Sequence, residues 1–247
     1  MNIALLGYGK MGRIIERFAL DRGHEIVLKI DAFTLDQLTT ENLQKADVAI
    51  DFSTPDSALS NIEACFAAQV PVVVGTTGWY DHITEVKAKC EESNNALLYA
   101  SNFSVGVNVF FFVNKVLAKL MNRYPQYDVQ VEEIHHTQKL DSPSGTAITI
   151  GEGILEKIER KTEWVNDLAG EGEDVIPKPE QLLIESHRIE DVPGTHTVIY
   201  SSEVDEIEFK HKAHNRAGFA LGAVLAAEWL KDKKGFYSVA DMFDFNI

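Results

Sequence analysis

The stretch Asn2-Ile3-Ala4-Leu5-Leu6-Gly7-Tyr8-Gly9-Lys10-Met11-Gly12 joins a short apolar run to a Gly-x-Gly-x-x-Gly turn. Apolar residues then recur at helical spacing between Met11 and Arg22, and a second strand-like run follows at Glu25–Ile30. A strand, a glycine turn, an amphipathic helix and a second strand predict a βαβ unit. Such a unit implies a parallel sheet.

The glycine turn also predicts a dinucleotide site. Its three glycines permit a tight turn, close approach of the backbone to a pyrophosphate and close packing of helix on strand. Asp31 ends the second strand, where a carboxylate can bind the ribose hydroxyls of the cofactor. Ala32 and Phe33 follow it, with no adjacent arginine for a 2′-phosphate. We therefore expect NADH to serve at least as well as NADPH.

Further strand-like runs continue the alternation of strands and helices. They lie at 47–52, 70–74 and 96–99, separated by helix-like segments at 56–69 and 81–94. This pattern predicts an α/β fold with a Rossmann-like, doubly wound parallel sheet. Ligands of such sheets lie beyond the carboxyl ends of the strands, so Gly75-Thr76-Thr77-Gly78 and Ala100-Ser101-Asn102-Phe103 are expected near the nicotinamide.

The pattern changes after about residue 105. A helix is predicted at 107–123, a strand at 128–134, a helix at 144–161, an acidic Gly/Pro segment at 163–181 and strands at 183–189, 195–200 and 206–213. Consecutive strands without intervening helices predict a smaller α+β domain with a mixed or antiparallel sheet. A further helix is predicted at 219–230, and we expect it to pack on the first domain. We expect residues 1–105 and 216–247 to bind the dinucleotide and residues 106–215 to bind the substrate.

The loop His135-His136-Thr137-Gln138-Lys139-Leu140-Asp141-Ser142-Pro143-Ser144-Gly145-Thr146-Ala147 predicts a site that binds an anion and moves a proton. Histidine and lysine can both donate protons near neutral pH. Pro143 suits the first turn of a helix. The N–H groups of Ser144, Gly145 and Thr146 would then point outward, unpaired, toward a carboxylate or phosphate. Asp141 either orients Lys139 or begins the turn. Adjacent histidines at the end of a strand would project to its opposite faces, so we do not expect them to bind one metal ion together.

Composition narrows the partners. The formal net charge of −15 argues against a general affinity for nucleic acid or anionic lipid. Cys65 and Cys90 are expected to be buried, inert thiols, and no segment predicts a membrane span. The N-terminal run lacks the basic region of a signal peptide, so we expect a cytoplasmic enzyme.

The combination of Glu133-Ile134-His135-His136 with Lys139, Asp141 and Pro143-Ser144-Gly145-Thr146-Ala147 resembles the dihydrodipicolinate reductase family. The resemblance extends to Gly75–Gly78, Asn102–Val109, His211-Lys212-Ala213 and Phe219–Ala223. It implies an NAD(P)H-dependent oxidoreductase that converts 4-hydroxy-tetrahydrodipicolinate to tetrahydrodipicolinate in diaminopimelate and lysine biosynthesis. It also implies a homotetramer in which the substrate-domain sheets form the central contacts.

The resemblance further implies a role for each residue of the site. His135 and Lys139 would donate the proton, and no metal would take part. The dicarboxylate would be held by His136, Lys139, Ser144, Gly145 and Thr146. The cofactor would be lined by Gly7, Tyr8, Gly9, Lys10, Met11, Gly12, Asp31, Gly75, Thr76, Thr77, Ala100, Ser101, Asn102 and Phe103.

Two alternatives remain at this point. The chain could be a related two-domain NAD(P)-dependent amino-acid or aldehyde dehydrogenase, which begins with the same dinucleotide fold. It could also be a non-catalytic, redox-sensing nucleotide-binding regulator that keeps the fold without the chemistry. The presence of His135, His136 and Lys139 together favours the reductase over both.

Overall fold

A computed structural model describes residues 1–170, 172 and 175–243. The chain forms two compact units, and each has its own sheet. The first unit comprises Met1–Val105 together with Arg216–Ile247, and the second comprises Gly106–Asn215.

The first unit is built on a six-stranded sheet in which every pair of neighbouring strands is parallel. The spatial order is β11-β5-β4-β3-β1-β2. The strands are β1 (Asn2–Leu6), β2 (Glu25–Ile30), β3 (Val48–Asp51), β4 (Val72–Val74), β5 (Ala96–Tyr99) and β11 (Gly235–Ser238). The chain leaves β1 toward β2 on one side and later returns to β3 on the other, which places a topological switch point at β1.

Helices cover both faces of this sheet. They are α1 (Lys10–Asp21), α2 (Thr40–Leu43), α3 (Pro55–Ala67), α4 (Ile83–Glu92), α7 (Ala217–Leu230) and α8 (Val239–Phe243), with short 3₁₀ turns at Leu35–Gln37 and Tyr80–His82. Alternate residues of β1 face opposite sides of the sheet and belong to two different hydrophobic cores. Ala4 and Leu6 pack with α3 and α4, whereas Ile3 and Leu5 pack with α1 and α7. The doubly wound parallel sheet predicted from the sequence is confirmed.

The second unit has a five-stranded mixed sheet in the order β10-β9-β6-β8-β7. Its strands are β6 (Asp128–His135), β7 (Glu163–Leu168), β8 (Gln181–Arg188), β9 (Thr195–Ser201) and β10 (Glu206–Lys212). The β6–β8 and β7–β8 pairs are parallel, and the β6–β9 and β9–β10 pairs are antiparallel. This agrees with the expected α+β domain.

Two helices, α5 (Val105–Met121) and α6 (Gly145–Leu155), pack on one face of the second sheet. Phe110 of α5 and Ile150 of α6 are buried there against inward-facing residues such as Val131 and Val198. Ile134, Leu183 and Ile199 alternate with these inward positions and therefore lie on the opposite face, outside the core. This face carries polar residues as well, because Gln130 and Glu132 share it.

Two strands were not anticipated from the sequence. The segment predicted to be irregular, Glu163–Gln181, begins with β7, which pairs with β8; within this segment, residues 171, 173 and 174 lie outside the described part. Glycines and prolines further along the segment obscured the six residues of the strand. Strand β11 was missed because it is short and follows a lysine-rich turn at the end of α7.

The cysteines agree with expectation, whereas the helix expected at 144–161 is shorter and ends at Leu155. Cys65 and Cys90 are free and buried, and burial raises the pKa of Cys90 to about 11. None of the described helices is long and apolar enough to cross a membrane.

Candidate active site

Two of the three glycines in the turn after β1 cannot be replaced by a residue with a side chain without a steric clash. Gly7 has a φ of +93°, and a Cβ added there would lie 2.1 Å from the Phe52 carbonyl oxygen. A Cβ on Gly12 would lie 2.5 Å from the Gly7 carbonyl oxygen. These two glycines are therefore required by the turn and by helix–strand packing. The N–H groups of Gly7 and Tyr8 both donate to the Ile30 carbonyl oxygen, at 2.9 and 2.8 Å.

Gly9 has neither of these reasons to be glycine. Its φ is −90°, and no described atom lies within 4 Å of a Cβ added there. It is also the N-cap of α1, where backbone N–H groups lack partners within the helix. Open space beside the amino end of a helix fits a pyrophosphate group, so the turn fits a dinucleotide.

The side chains next to these glycines are used inside the protein. The Tyr8 hydroxyl donates to Glu16. The guanidinium carbon of Arg13 and the ammonium nitrogen of Lys29 lie 4.8 and 4.9 Å from the centre of the Tyr8 ring. Met11 packs in the core that includes α1. Tyr8 and Met11 can therefore serve a cofactor mainly through their backbone, whereas the Lys10 side chain is exposed.

Asp31 directly follows β2 and is half-buried. Its Oδ1 accepts hydrogen bonds from the Phe33 N–H at 2.9 Å and from the Thr34 hydroxyl at 3.1 Å. One carboxylate oxygen thus fixes the turn, and the described contacts leave Oδ2 for a ligand. Ala32 and Phe33 are exposed, as a ribose-binding edge requires.

Asp51, at the end of β3, is a buried residue that the sequence analysis missed. Its Oδ1 accepts from the Thr76 hydroxyl at 2.6 Å and from the Ser53 hydroxyl at 2.7 Å, and its Oδ2 accepts from Asn61 at 2.9 Å. Burial raises the pKa of Asp51, and these hydrogen bonds offset part of that rise. Asp51 therefore fixes Thr76 of the predicted cofactor turn, so the Thr76 hydroxyl already has a partner inside the protein.

Phe52 lies between three of the predicted cofactor segments. The Phe52 ring occupies the space beside Gly75, where an added Cβ would come within 2.2 Å of it, and lies 5.8 Å from the Phe103 ring. Phe103 is buried, whereas Thr77 and Ser101 are exposed. The carboxyl edge of the sheet thus gathers every predicted cofactor segment: Gly7–Gly12, Asp31, Gly75–Thr77 and Ala100–Phe103.

In the second unit, His135 is the last residue of β6 and is buried, while His136 and Lys139 lie in the loop that follows. The Nζ of Lys139 donates to both carboxylate oxygens of Asp141, at 2.8 and 2.7 Å. The hydrogen bond from Lys139 lowers the pKa of Asp141. Of the two roles considered for Asp141, the structure favours pairing with Lys139.

The start of α6 differs in two respects from expectation. Pro143 was expected in the first turn of the helix. Pro143 lies before the helix and Ser144 is its N-cap, with the Ser144 hydroxyl accepting from the Ala147 N–H at 3.1 Å. The Ser144 N–H was expected to be free, but it donates to Glu133 at 3.0 Å. That expectation was wrong because a buried carboxylate lies beneath the turn. The N–H groups of Gly145 and Thr146 have no acceptor within the described residues.

Glu133 is fully buried two residues before His135 on β6. It also accepts from the Ser186 hydroxyl at 2.9 Å. Three basic side chains surround it at ion-pair distances: His135 Nδ1 at 3.3 Å, Arg188 Nη2 at 3.5 Å and His196 Nε2 at 3.7 Å. Burial alone would raise the pKa of Glu133, but the nearby imidazoles of His135 and His196 and the hydrogen bond from the Ser144 N–H hold that pKa well below its usual range.

Glu133, His135 and His196 are donor types that metals use, and their ligand atoms lie within 4.8 Å of one another. Their surroundings nevertheless suit protons better than a cation. The Glu133 oxygens already accept two kinds of hydrogen bond, and the permanently charged Arg188 lies beside them. The expectation that the site works without a metal stays a prediction.

The sequence pattern identified the loops of the site but not the residues beneath them. Asp51, Phe52, Arg188 and His196 were not anticipated, and Glu133 appeared only in the family signature, without a role. One signal was available for Glu133. Residues two apart on a strand share a face, so an acid two positions before a candidate proton donor is placed to contact it. Arg188 and His196 come from other strands, and no spacing in the sequence relates them to His135.

A parallel sheet with an open glycine turn, and a second sheet whose loop carries histidine and lysine, are the parts of a two-domain, nicotinamide-dependent oxidoreductase. Family profiles agree with this class. The profile described as dihydrodipicolinate reductase, N-terminus, matches residues 1–103, and the profile for the C-terminus of the same family matches residues 106–243. The chain belongs to the dihydrodipicolinate reductase family.

Individual relatives agree over nearly the full length. The 4-hydroxy-tetrahydrodipicolinate reductase of Christiangramia forsetii is 51% identical over 98% of this chain and 97% of its own. The enzyme of the same name from Neisseria meningitidis is 33% identical over 100% of this chain and 98% of its own.

Solved structures show the same fold. A dipicolinate-bound dihydrodipicolinate reductase from Paenisporosarcina sp. TG-14 superposes with a TM-score of 0.76 at 23% identity, covering 98% of this chain and 99% of that one. An amine dehydrogenase from Mycobacterium smegmatis gives a TM-score of 0.59 at 11% identity, covering 95% and 93%. At these identities the likeness concerns the fold alone.

Asp51→Ala tests whether the buried carboxylate supports the cofactor edge. We expect the free energy of unfolding to fall by about 2–5 kcal/mol, because Ser53, Asn61 and Thr76 would lose a buried acceptor. The KM for NADH should rise as the turn at Thr76 loosens. Urea denaturation and steady-state kinetics measure the two effects. The exposed Asp36→Ala should leave both unchanged, and equal behaviour of the two variants would contradict the assignment.

Proposed function

We propose that this chain reduces 4-hydroxy-tetrahydrodipicolinate to tetrahydrodipicolinate with NADH or NADPH, the reaction that forms part of diaminopimelate and lysine biosynthesis. The observation that carries the proposal is the loop after β6. It joins a buried imidazole, a lysine and the free N–H groups of Gly145 and Thr146 in a chain whose relatives bear the name of this reductase. Because the reaction consumes NADH or NADPH, we place the enzyme in the cytoplasm.

The first unit would bind the dinucleotide. The open space beside Gly9 would receive the pyrophosphate, and Asp31 would accept hydrogen bonds from the ribose hydroxyls. The remaining cofactor contacts are proposed for Tyr8, Lys10, Met11, Gly75, Thr76, Thr77, Ala100, Ser101, Asn102 and Phe103. When bound, the reduced nicotinamide supplies a hydride.

The second unit would bind the dicarboxylate and supply the proton. The N–H groups of Gly145 and Thr146, with Ser144 as their N-cap, would receive one carboxylate at the positive end of α6. His136 and Lys139 would hold the other carboxylate. Loss of the 4-hydroxyl group of the substrate as water would give an unsaturated cyclic imine. After the hydride adds to a ring carbon of this imine, electron density would move to the neighbouring carbon. His135, assisted by Lys139, would protonate that carbon.

The open face of the second sheet supports an oligomer. Ile134, Leu183 and Ile199 lie on the face opposite α5 and α6 and are only partly buried within the single chain. A second copy of the chain would cover these groups. We propose a homotetramer with this face at the centre.

The oligomer can be tested by light scattering coupled to size exclusion. We expect a mass about four times that of the 27.6 kDa chain. Ile199→Glu should lower the mass, because a carboxylate would then be buried against another chain. A wild-type mass equal to one chain would contradict the tetramer.

His135→Gln tests the proton donor. In an assay that follows NADH oxidation with the fresh condensation product of pyruvate and aspartate semialdehyde, we expect kcat to fall roughly 10²–10⁴-fold, as for loss of a general acid. The affinity for NADH should hardly change. His24→Gln is the matched control, because His24 lies directly before β2 beside Glu228, in the other unit; it should keep its kcat. Absence of turnover by the wild type with either cofactor would refute the proposed function itself.

Cofactor preference follows from Asp31. We expect kcat/KM for NADH to equal or exceed that for NADPH, since the Asp31 carboxylate repels a 2′-phosphate and neither Ala32 nor Phe33 can neutralise one. Asp31→Asn should shift the ratio toward NADPH, because it removes the negative charge. Initial rates with both cofactors measure this ratio. A hundredfold preference of the wild type for NADPH would show that the interpretation of Asp31 is wrong.

A further inference from the structure

Glu133 contacts both parts of the proposed substrate site. One contact is with the proton donor, since Glu133 Oε2 lies 3.3 Å from His135 Nδ1. The other is with the anion-binding turn, since the Ser144 N–H donates to both Glu133 oxygens at 3.0 and 3.2 Å. A single carboxylate therefore fixes the distance between a proton donor and the helix start that would bind substrate.

The two ring nitrogens of His135 have different surroundings. Nδ1 is fully buried, makes no hydrogen bond within the described residues and lies 3.3 Å from the Glu133 carboxylate, its nearest acidic group there. Nε2 faces Gly194, where an added Cβ would lie 3.1 Å away, closer than side chains normally pack. Glycine at this position leaves room on the Nε2 side of the ring. Nδ1 is thus the nitrogen beside a carboxylate, and Nε2 is the nitrogen with room to meet a substrate.

We propose that Glu133 is a positioning residue for the reduction, which orients His135 through Nδ1 so that Nε2 delivers the proton, and which holds the Ser144 turn in register with it. The inference rests on the proposed function. Glu133 would not touch the substrate, since it is fully buried beneath the loop. Its negative charge would favour the protonated imidazole that a general acid requires.

Among the described residues, Glu133 is the one carboxylate placed to orient the His135 ring. Asp141 is already paired with Lys139, and no other described carboxylate lies within ion-pair distance of the His135 ring. His196, on β9, lies with its ring 5.1 Å from that of His135, and burial lowers the pKa of His196. His196 is thus held neutral and adds little repulsion. His211, on β10, is also held toward the neutral form, because burial lowers its pKa.

Arg188, on β8, completes the support of the loop. Its Nη2 lies 3.5 Å from Glu133, donates to the Asp141 carbonyl oxygen at 2.7 Å, and so joins the carboxylate to the segment that carries Lys139. Its Nε donates to the Lys139 carbonyl oxygen at 3.4 Å. Glu133 and Arg188 together hold His135, Lys139 and Ser144 in one arrangement.

The decisive variants are Glu133→Gln and Glu133→Asp. Glutamine keeps the shape and an acceptor for Ser144 but removes the charge. We expect kcat to fall roughly 10–10³-fold and the alkaline limb of the kcat profile to move about one pH unit lower, with an unchanged KM for NADH. Aspartate keeps the charge but is one methylene shorter. It should lower kcat while leaving the alkaline limb near its wild-type position.

Glu152→Gln is the control for charge loss, because Glu152 is exposed on α6 of the same unit. It should match the wild type in kcat and pH profile. A purely structural role for Glu133 would lower kcat without moving the limb, or would move it equally in both Glu133 variants. Either result would overturn the proposal.

A measurement on the wild type covers the case in which Glu133→Gln does not fold. Nitrogen-15 NMR of the histidine rings, with His135→Gln used to assign the signal, reports which nitrogen carries the proton in neutral His135. A proton on Nδ1 supports the proposal, and a proton on Nε2 overturns it. Since no substrate is needed, this result is independent of whether the wild type turns over 4-hydroxy-tetrahydrodipicolinate.

Discussion

Burying a carboxylate without hydrogen-bond or ion-pair partners raises the free energy of the folded state. This constraint determines how the loops at the carboxyl ends of the strands are held in both sheets. Asp51 in the first unit and Glu133 in the second are both fully buried near the carboxyl end of a central strand. Each gathers donors from segments that are distant in sequence. Thr76 and Asn61 reach Asp51, while Ser144 and Ser186 reach Glu133. The loops proposed to contact ligands are therefore fixed from below by charges that ligands do not touch.

The two carboxylates differ in the charge of their partners, and the difference matches their proposed roles. Asp51 is surrounded by hydroxyl and amide donors, so burial dominates and its pKa is raised. Glu133 is surrounded by imidazoles and a guanidinium, so its pKa is held low and it stays ionised. A neutral cradle suits a turn that must only keep its shape. Imidazoles beside a guanidinium suit a place where a proton is held and released.

The sequence predicted the fold well where local pattern and tertiary role coincide. Strands β1, β2 and β5 have the predicted bounds. Buried parallel strands consist of short apolar runs between turn residues, and such runs are recognisable in the sequence. Strands β7 and β11 were missed because their pairing with β8 and β5 depends on neighbours that local pattern does not contain. The same reason explains the site. The histidine loop is contiguous and was found, whereas Arg188 and His196 reach it only through the register of the second sheet.

Two kinds of ion pair hold the loop after β6, an exposed one that can exchange partners and a buried one that cannot. The Lys139–Asp141 pair is bidentate, but the Asp141 side chain is 64% exposed, and exposed pairs contribute little to stability. Lys139 can therefore leave Asp141 for a substrate carboxylate at small cost. Glu133 cannot be released in the same way, since losing any of its partners would leave a buried charge uncompensated. In the proposed mechanism, an anionic substrate would therefore compete for Lys139 while His135 stays in place, and substrate capture would be separate from orientation of the proposed proton donor.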